Sequence, residues 1–124
     1  MRGRYLAIGV AVLFCSTFSY GQQALTGTYE GKWMFGSGSR NYYNYGTLTI
    51  ASAENGKISG KFAVAQHACM GEYLIEGTYQ NDKLEMRTGE GTLRDCGNQP
   101  FVVVVQGNKL VGTYSTFEIE MSKK

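Results

Sequence analysis

The amino-acid sequence predicts an all-β, single-domain fold, an eight-stranded antiparallel up-and-down β-barrel. Apolar and polar residues alternate along several short segments, and turn dipeptides such as Asn55-Gly56 separate these segments. No stretch of residues 22–124 has the periodicity of a helix. Short sequential strands joined mostly by tight turns favour the barrel over a β-sandwich, which stays open as the structural alternative.

The first three strands are predicted over 25–35, 45–53 and 58–66. Along the first strand, the odd-numbered positions hold leucine, glycine, tyrosine, tryptophan and phenylalanine, while the even-numbered positions are mostly polar. This is the period of a strand with one buried face. Asn55-Gly56 then joins the second strand to the third, because an Asn-Gly pair favours a two-residue hairpin turn.

Five further strands complete the predicted set. They lie over 70–79, 83–88, 101–106, 109–115 and 117–121. The pairs Asn81-Asp82 and Gly107-Asn108 supply two more hairpin turns, and the valine-rich composition of the sixth strand is typical of a buried strand.

A short phrase, aliphatic-x-Gly-x-aromatic, occurs four times in the chain. Its copies lie at 25–29, 58–62, 75–79 and 110–114. Glycine weakens an isolated strand, so its recurrence on the apolar face indicates places where the sheet bends sharply or an aromatic ring packs over bare backbone. Closing eight strands into a barrel requires such bends.

The copy LTGTY at 25–29, followed by Trp33, resembles strand segments of the avidin and streptavidin family, which are calycin-type eight-stranded barrels. The resemblance implies the barrel architecture alone. Avidin-like proteins line a biotin pocket with several tryptophans, whereas this chain has one, so no binding residue is transferred. In size, export and a single disulfide, the chain is also similar to small secreted barrels that inhibit lysozyme or metalloproteases.

Residues 1–21 have the layout of a secretory signal peptide, and residues 22–124 are the predicted barrel domain. Arg2 and Arg4 precede an apolar run that ends at Phe14. That run is shorter than the roughly 20 residues that a membrane span needs, and the bulky Phe14 disfavours a lipid anchor at Cys15. We therefore expect a secreted or periplasmic protein with no membrane span in its mature chain.

Charge and cysteine content narrow the classes further. Without Arg2 and Arg4, the chain has ten basic and ten acidic residues, so the basic excess typical of a nucleic-acid-binding protein is absent. Cys69 and Cys96 are predicted to form a disulfide, because an exported protein with an even cysteine count usually pairs them. Neither a CxxC pair nor an HExxH spacing supports a metal site, and no cofactor is expected.

The connections between the predicted strands alternate between the two ends of the barrel. The three tight hairpin turns fall at one end, whereas the connections over 36–44, 67–68, 89–100 and 115–116 fall at the other. Cys69 and Cys96 belong to connections at this second end, which is consistent with their pairing. Binding is usually built on such loops and at a barrel mouth, so recognition residues are predicted here.

Four residues in or directly after the first loop and one of the third loop are the candidates for contact with a partner. Arg40, Tyr42, Tyr43 and Tyr45 are grouped among glycine, serine and asparagine. Tyrosine supplies broad contact area and a hydroxyl at low entropic cost. In the alternative, two of these tyrosines pack into the core. Arg94 lies on a mixed-charge rim near the disulfide.

Trp33 and Tyr73 are predicted to face the barrel interior. They line a pocket there unless the side chains fill the barrel, as they often do with eight strands. No enzyme and no catalytic residue is predicted: a disulfide removes Cys69 as a nucleophile for His67. A GxSxG elbow and a phosphate-binding glycine loop are both absent.

We therefore expect a secreted or periplasmic binding module that recognises an unknown protein partner through its loops, for instance as an inhibitor. The alternative is a carrier that holds a small apolar or aromatic ligand inside the barrel. The sequence identifies neither the partner nor the ligand.

Overall fold

A computed structural model describes residues 25–35 and 42–124, with the backbone alone at Phe35. The predicted signal peptide at 1–21 and the candidate Arg40 lie outside these residues. In the described part of the chain, eight antiparallel strands form a closed barrel, in which each strand pairs with its sequence neighbours and the last pairs with the first. The predicted fold class is confirmed.

The eight strands follow one another along the chain. They are β1 (Gly27–Phe35), β2 (Tyr42–Glu54), β3 (Lys57–Val64), β4 (Gly71–Gln80), β5 (Lys83–Gly91), β6 (Pro100–Gln106), β7 (Lys109–Tyr114) and β8 (Phe117–Lys123). One turn of 3-10 helix (Arg94–Cys96) lies between β5 and β6.

Two predicted loops were too long. β2 begins at Tyr42 rather than Tyr45, because Tyr42 pairs with Phe35 and Asn44 pairs with Trp33. β5 continues to Gly91. Pairing with a neighbouring strand overrides the weak local preference of polar and glycine-rich segments. The two connections therefore shorten to 36–41 and 92–99.

The connections alternate between two ends of the barrel, as predicted. The hairpin end carries Asn55-Gly56, Asn81-Asp82 and Gly107-Asn108. Both residues of the first two pairs have positive φ, as type I′ turns require, whereas only Gly107 has it in the third. The loop end carries the connections 65–70, 92–99 and 115–116, together with the end of β1 at Phe35 and the start of β2 at Tyr42.

Aromatic rings fill the middle of the barrel. The ring centroid of Phe62 is 4.9 Å from that of Phe101 and 4.8 Å from that of Tyr114. Trp33 meets Tyr114 edge to face at 5.2 Å. Such tilted and edge-on pairs stabilise a core by about 0.5–1.5 kcal/mol beyond the area that they bury. We call these four residues the aromatic layer.

Inward-facing glycines explain the repeated phrase. A Cβ atom on Gly60 would overlap the backbone carbonyl oxygen of Thr49 on the neighbouring strand. A Cβ atom on Gly46 would meet the rings of Trp33 and Phe62 at 2.7 and 2.8 Å. Gly60 belongs to the repeated phrase and allows two strands to approach closely, whereas the predicted packing of an aromatic ring over bare backbone occurs at Gly46, outside the phrase.

The predicted disulfide is confirmed. The sulfur atoms of Cys69 and Cys96 are 2.01 Å apart, and the bond links the 65–70 connection to the 3-10 turn at the loop end. Disulfides persist in oxidising compartments, so the pair indicates a location outside the cytoplasm. Within residues 25–35 and 42–124, no helix is long and apolar enough to cross a membrane.

Candidate functional site

Exposed apolar side chains concentrate at the loop end of the barrel. Eight of the described residues are large, apolar and exposed: Met34, Tyr42, Tyr43, Tyr45, Met70, Leu74, Leu93 and Val104. Seven of them lie in the loop-end connections or within three residues of a strand end there, and Val104 lies nearer the hairpin end. We call these seven residues the loop-end surface.

The three candidate tyrosines all lie on this surface. Tyr42, Tyr43 and Tyr45 are 41%, 46% and 49% exposed, so the structure places none of them in the core. Tyr43 and Tyr45 point outward because they alternate with the buried positions Asn44 and Gly46 along β2.

The outer faces of β1 and β2 hold the tyrosine side chains in place. Met34 pairs with Tyr43 and Lys32 pairs with Tyr45. The Lys32 ammonium lies 4.7 Å from the centroid of the Tyr43 ring, within the range of a cation–π contact. These four side chains form one wall of a groove of about 1150 Å³ that runs across β1, β2, β7 and β8.

A second apolar pair lies across the barrel from β2. The backbone N–H of Thr92 donates to the carbonyl of Glu72, and the N–H of Glu72 donates to the Thr92 hydroxyl, both at 3.0 Å. This pairing aligns the two segments that carry Met70 and Leu93. The sequence reasoning missed both, because single apolar residues in connections have no periodic signal.

Arg94 and the three tyrosines lie at the same end of the barrel but belong to separate surface patches. Arg94 is exposed in the 3-10 turn after β5, three strands around the barrel from β2. Tyr42 instead reaches towards the 65–70 connection, where its ring centroid lies 5.8 Å from that of His67. A partner that contacts all of these residues must therefore cover the loop end broadly.

A cavity of about 140 Å³ lies at the loop end beside the aromatic layer. It is lined by Trp33, Asn44, Ala68, Cys69, Gln99, Tyr114, Ser115 and Phe117. Trp33, Asn44 and Tyr114 are buried, whereas Ala68 is exposed, so the lining runs from the core to the surface. None of these described lining residues is charged.

The two residues predicted to face the interior have different roles. Trp33 is buried and lines the cavity. Tyr73 is also buried, but its hydroxyl donates a hydrogen bond to the carbonyl oxygen of Cys69 at 2.9 Å, and it does not line this cavity. Asn44 and Tyr114 line the cavity and were not predicted as site residues. Their signal was alternation, which places both on the inward face of their strands.

Hydrogen bonding fixes the orientation of the Asn44 amide. Its Oδ1 atom accepts the backbone N–H groups of Tyr45 at 2.9 Å and Gln66 at 3.3 Å. Because both partners are donors, the oxygen must face them, and Nδ2 is left as a donor on the other side.

Three polar atoms of residues that line the cavity have no hydrogen-bond partner among the described residues. Among the residues that the structure describes, Asn44 Nδ2, Trp33 Nε1 and the Tyr114 hydroxyl donate no hydrogen bond. No described side-chain nitrogen or oxygen is both unpartnered and completely closed off. Each of the three atoms therefore keeps some contact with open space. Burial raises the pKa of the Tyr114 hydroxyl, and the neighbouring Tyr73 raises it further.

The described residues contain no group of three or more His, Cys, Asp or Glu side chains that is placed to hold a metal ion. No protein-family model, curated protein or solved structure matches the chain. The likeness to avidin-like proteins is therefore one of architecture, a closed eight-stranded antiparallel barrel of calycin-like form.

Proposed function

We propose that this protein is a secreted or periplasmic binding module that recognises a protein partner with its loop-end surface. One observation carries the proposal: of the eight large apolar residues exposed in the described part of the chain, seven lie at this end. These residues form two groups, one on β1 and β2 and one beside β4 and β5, and grouped exposed apolar side chains mark an interaction site more often than single ones do.

The residue types at the loop end suit a protein interface. Tyrosine, methionine and arginine are enriched in interfaces, and tyrosine and arginine are frequent among the residues that dominate binding energy. Tyr42, Tyr43 and Tyr45 provide the aromatic contacts, and Arg94 provides a charged contact on the opposite side.

The barrel suits recognition by a preformed surface. Closure leaves no free sheet edge in the described strands, so side chains rather than strand addition would supply the contacts. Strand pairing fixes the tyrosines, and the disulfide fixes the loop beside Arg94. A rigid surface loses little conformational freedom on binding, which favours tight association of the kind that an inhibitor needs.

Affinity capture with matched variants tests the proposal. The disulfide-bonded chain is immobilised and exposed to the secreted and periplasmic fractions of the cells that make it. Tyr43→Ser combined with Tyr45→Ser weakens binding of the captured protein about 30-fold, because a dominant interface residue contributes about 2 kcal/mol. Leu93→Ser combined with Arg94→Ser weakens it by a similar factor.

The control is Val104→Ser, which removes an exposed apolar side chain from the other half of the barrel. It leaves binding unchanged. A partner that tolerates both loop-end double variants, or that Val104→Ser releases equally, would show that recognition occurs elsewhere on the barrel.

A further inference from the structure

We propose that the loop-end cavity is a binding site for a small, neutral, single-ring molecule that carries a hydrogen-bond acceptor such as a carbonyl group. The site is separate from the loop-end surface in its residues and in its ligand. It goes beyond the proposed recognition of a protein partner and does not depend on it.

The unpartnered donors are the first argument. Asn44 Nδ2 and Trp33 Nε1 are donors only, and the Tyr114 hydroxyl can donate as well. Buried polar groups in native proteins are almost always hydrogen-bonded, since an unmet donor costs about 1–3 kcal/mol. Three residues with such donors line one cavity of 140 Å³, and each donor keeps contact with open space, so a water molecule or a ligand can accept from it. A ligand that carries an acceptor can pair with these donors, to which the described residues supply no acceptor.

The size and walls of the cavity limit the ligand to about one ring. An apolar cavity of about 150 Å³ in another protein holds benzene, which gives the scale for 140 Å³ here. Trp33, Tyr114 and Phe117 contribute aromatic walls, against which a flat molecule packs well.

The charge of the lining indicates a neutral ligand. The described lining has amide, hydroxyl, indole and disulfide groups, without an ionisable partner for a carboxylate or an ammonium group. A buried charge without a partner is strongly disfavoured. The raised pKa of Tyr114 keeps its hydroxyl protonated, and thus a donor, throughout the physiological pH range.

Access to the cavity comes from the loop end. Ala68 is exposed, and Ser115 and Phe117 are partly exposed, whereas the three residues that carry the donors are mostly buried. A ligand that enters past Ala68 therefore meets the aromatic walls and places its acceptor at the buried side. In most small-molecule sites, a few polar groups in an otherwise apolar pocket fix the orientation of the ligand, and these donors would do the same here.

The single tryptophan makes the test direct. Trp33 is the only tryptophan of the chain, so the ¹H–¹⁵N spectrum has one indole N–H signal, and this signal comes from a residue of the lining. The disulfide-bonded protein is titrated with 2-pyridone, a neutral cyclic amide, and with toluene, which has a similar size and no acceptor. We expect a saturable downfield shift with 2-pyridone, with a Kd on the order of 1 mM for so small a ligand. Toluene binds about tenfold more weakly.

Two variants separate the polar and steric parts of the site. Tyr114→Phe removes one unpartnered hydroxyl and weakens 2-pyridone binding about fivefold, with no effect on toluene. Ala68→Leu narrows the exposed side of the cavity and weakens both probes about tenfold or more. The matched control is Ala51→Leu on β2, because Ala51 is exposed and outside the lining. It leaves both affinities unchanged.

The proposal is overturned if the indole signal shows no saturable shift with 2-pyridone in the folded protein. It is equally overturned if toluene and 2-pyridone bind alike and Tyr114→Phe changes neither affinity. These outcomes leave protein recognition untouched, because the capture variants Tyr43→Ser, Tyr45→Ser, Leu93→Ser and Arg94→Ser lie outside the cavity lining.

Discussion

Asn44 shows how the role of one residue depends on where its strand begins. In the predicted loop over 36–44, Asn44 is one polar residue among several. In the structure it belongs to β2, where it alternates with Tyr43 and Tyr45 and is only 2% exposed. The sequence predicted Trp33 and Tyr73 as inward because their strands alternate clearly. It missed Asn44 and Tyr114 as site residues, since the meeting of β1, β2 and β7 at one cavity depends on register and barrel closure.

Tyr114→Phe is expected to change the pH dependence of stability. Burial raises the folded-state pKa of Tyr114 above its unfolded value of about 10. The contribution of the protonated hydroxyl to the free energy of unfolding is therefore complete below pH 10 and is lost as pH rises through the folded pKa. Near pH 7, the substitution changes the free energy of unfolding by less than about 0.5 kcal/mol, because the hydroxyl has no partner among the described residues. Urea unfolding followed by Trp33 fluorescence, near pH 7 and above pH 10, measures both effects.

Tyr29→Phe provides the contrast. The Tyr29 hydroxyl donates to the carbonyl oxygen of Leu25 at 2.9 Å, so its removal costs about 1 kcal/mol near pH 7 as well. The interpretation of Tyr114 is wrong if Tyr114→Phe destabilises the protein near pH 7 as much as Tyr29→Phe does. It is also wrong if the Tyr114→Phe variant loses as much stability above pH 10 as the unsubstituted chain loses.

At the scale of the element, the glycines explain both the success and the limits of the sequence prediction. The repeated phrase predicted sharp bends or rings packed over bare backbone. Gly60, within the phrase, lies close against the backbone of the neighbouring strand, and the ring packing occurs at Gly46, outside the phrase. The same reasoning ended β5 too early at its glycines, although Gly91 pairs with Tyr73. Local propensity treats glycine as a strand breaker, whereas in a barrel it is the residue that lets strands approach.

Gly60→Ala is expected to destabilise the barrel by about 3 kcal/mol, because the new methyl group overlaps the carbonyl oxygen of Thr49, which belongs to the backbone and cannot rotate away. Gly89→Ala is the matched control. Its methyl group would meet Leu74 at an ordinary 3.8 Å, and less freedom in the unfolded chain makes the substitution neutral or slightly stabilising. Urea midpoints measure both, and equal midpoints would contradict the close-approach role of Gly60.

On the scale of the whole molecule, chain order alone predicted most of the architecture. Hairpin turns at one end force the longer connections to the other, and a meander that closes on itself brings β8 to β1. The alternation of the connections also predicted that Cys69 and Cys96 lie at the same end of the barrel, where the disulfide joins them. It did not reveal that exposed apolar residues cluster at that end, because exposure depends on which connections pack together.

The disulfide stabilises the whole barrel through the unfolded state. Cys69 and Cys96 are separated by 27 residues, and closing a loop of that length in the unfolded chain corresponds to about 3.5 kcal/mol by the chain-entropy estimate. Replacing both cysteines by serine is therefore expected to lower the Tm by about 20 °C for a domain of this size. The strand pairing does not depend on the bond, so the far-ultraviolet circular dichroism of the variant at low temperature matches that of the parent.

Calorimetry of the oxidised parent, the reduced parent and the double variant checks the expected change in Tm. Reduction should lower the parent's Tm to that of the variant, whereas an unchanged Tm would mean that the loop-end connections hold the barrel together without the bond.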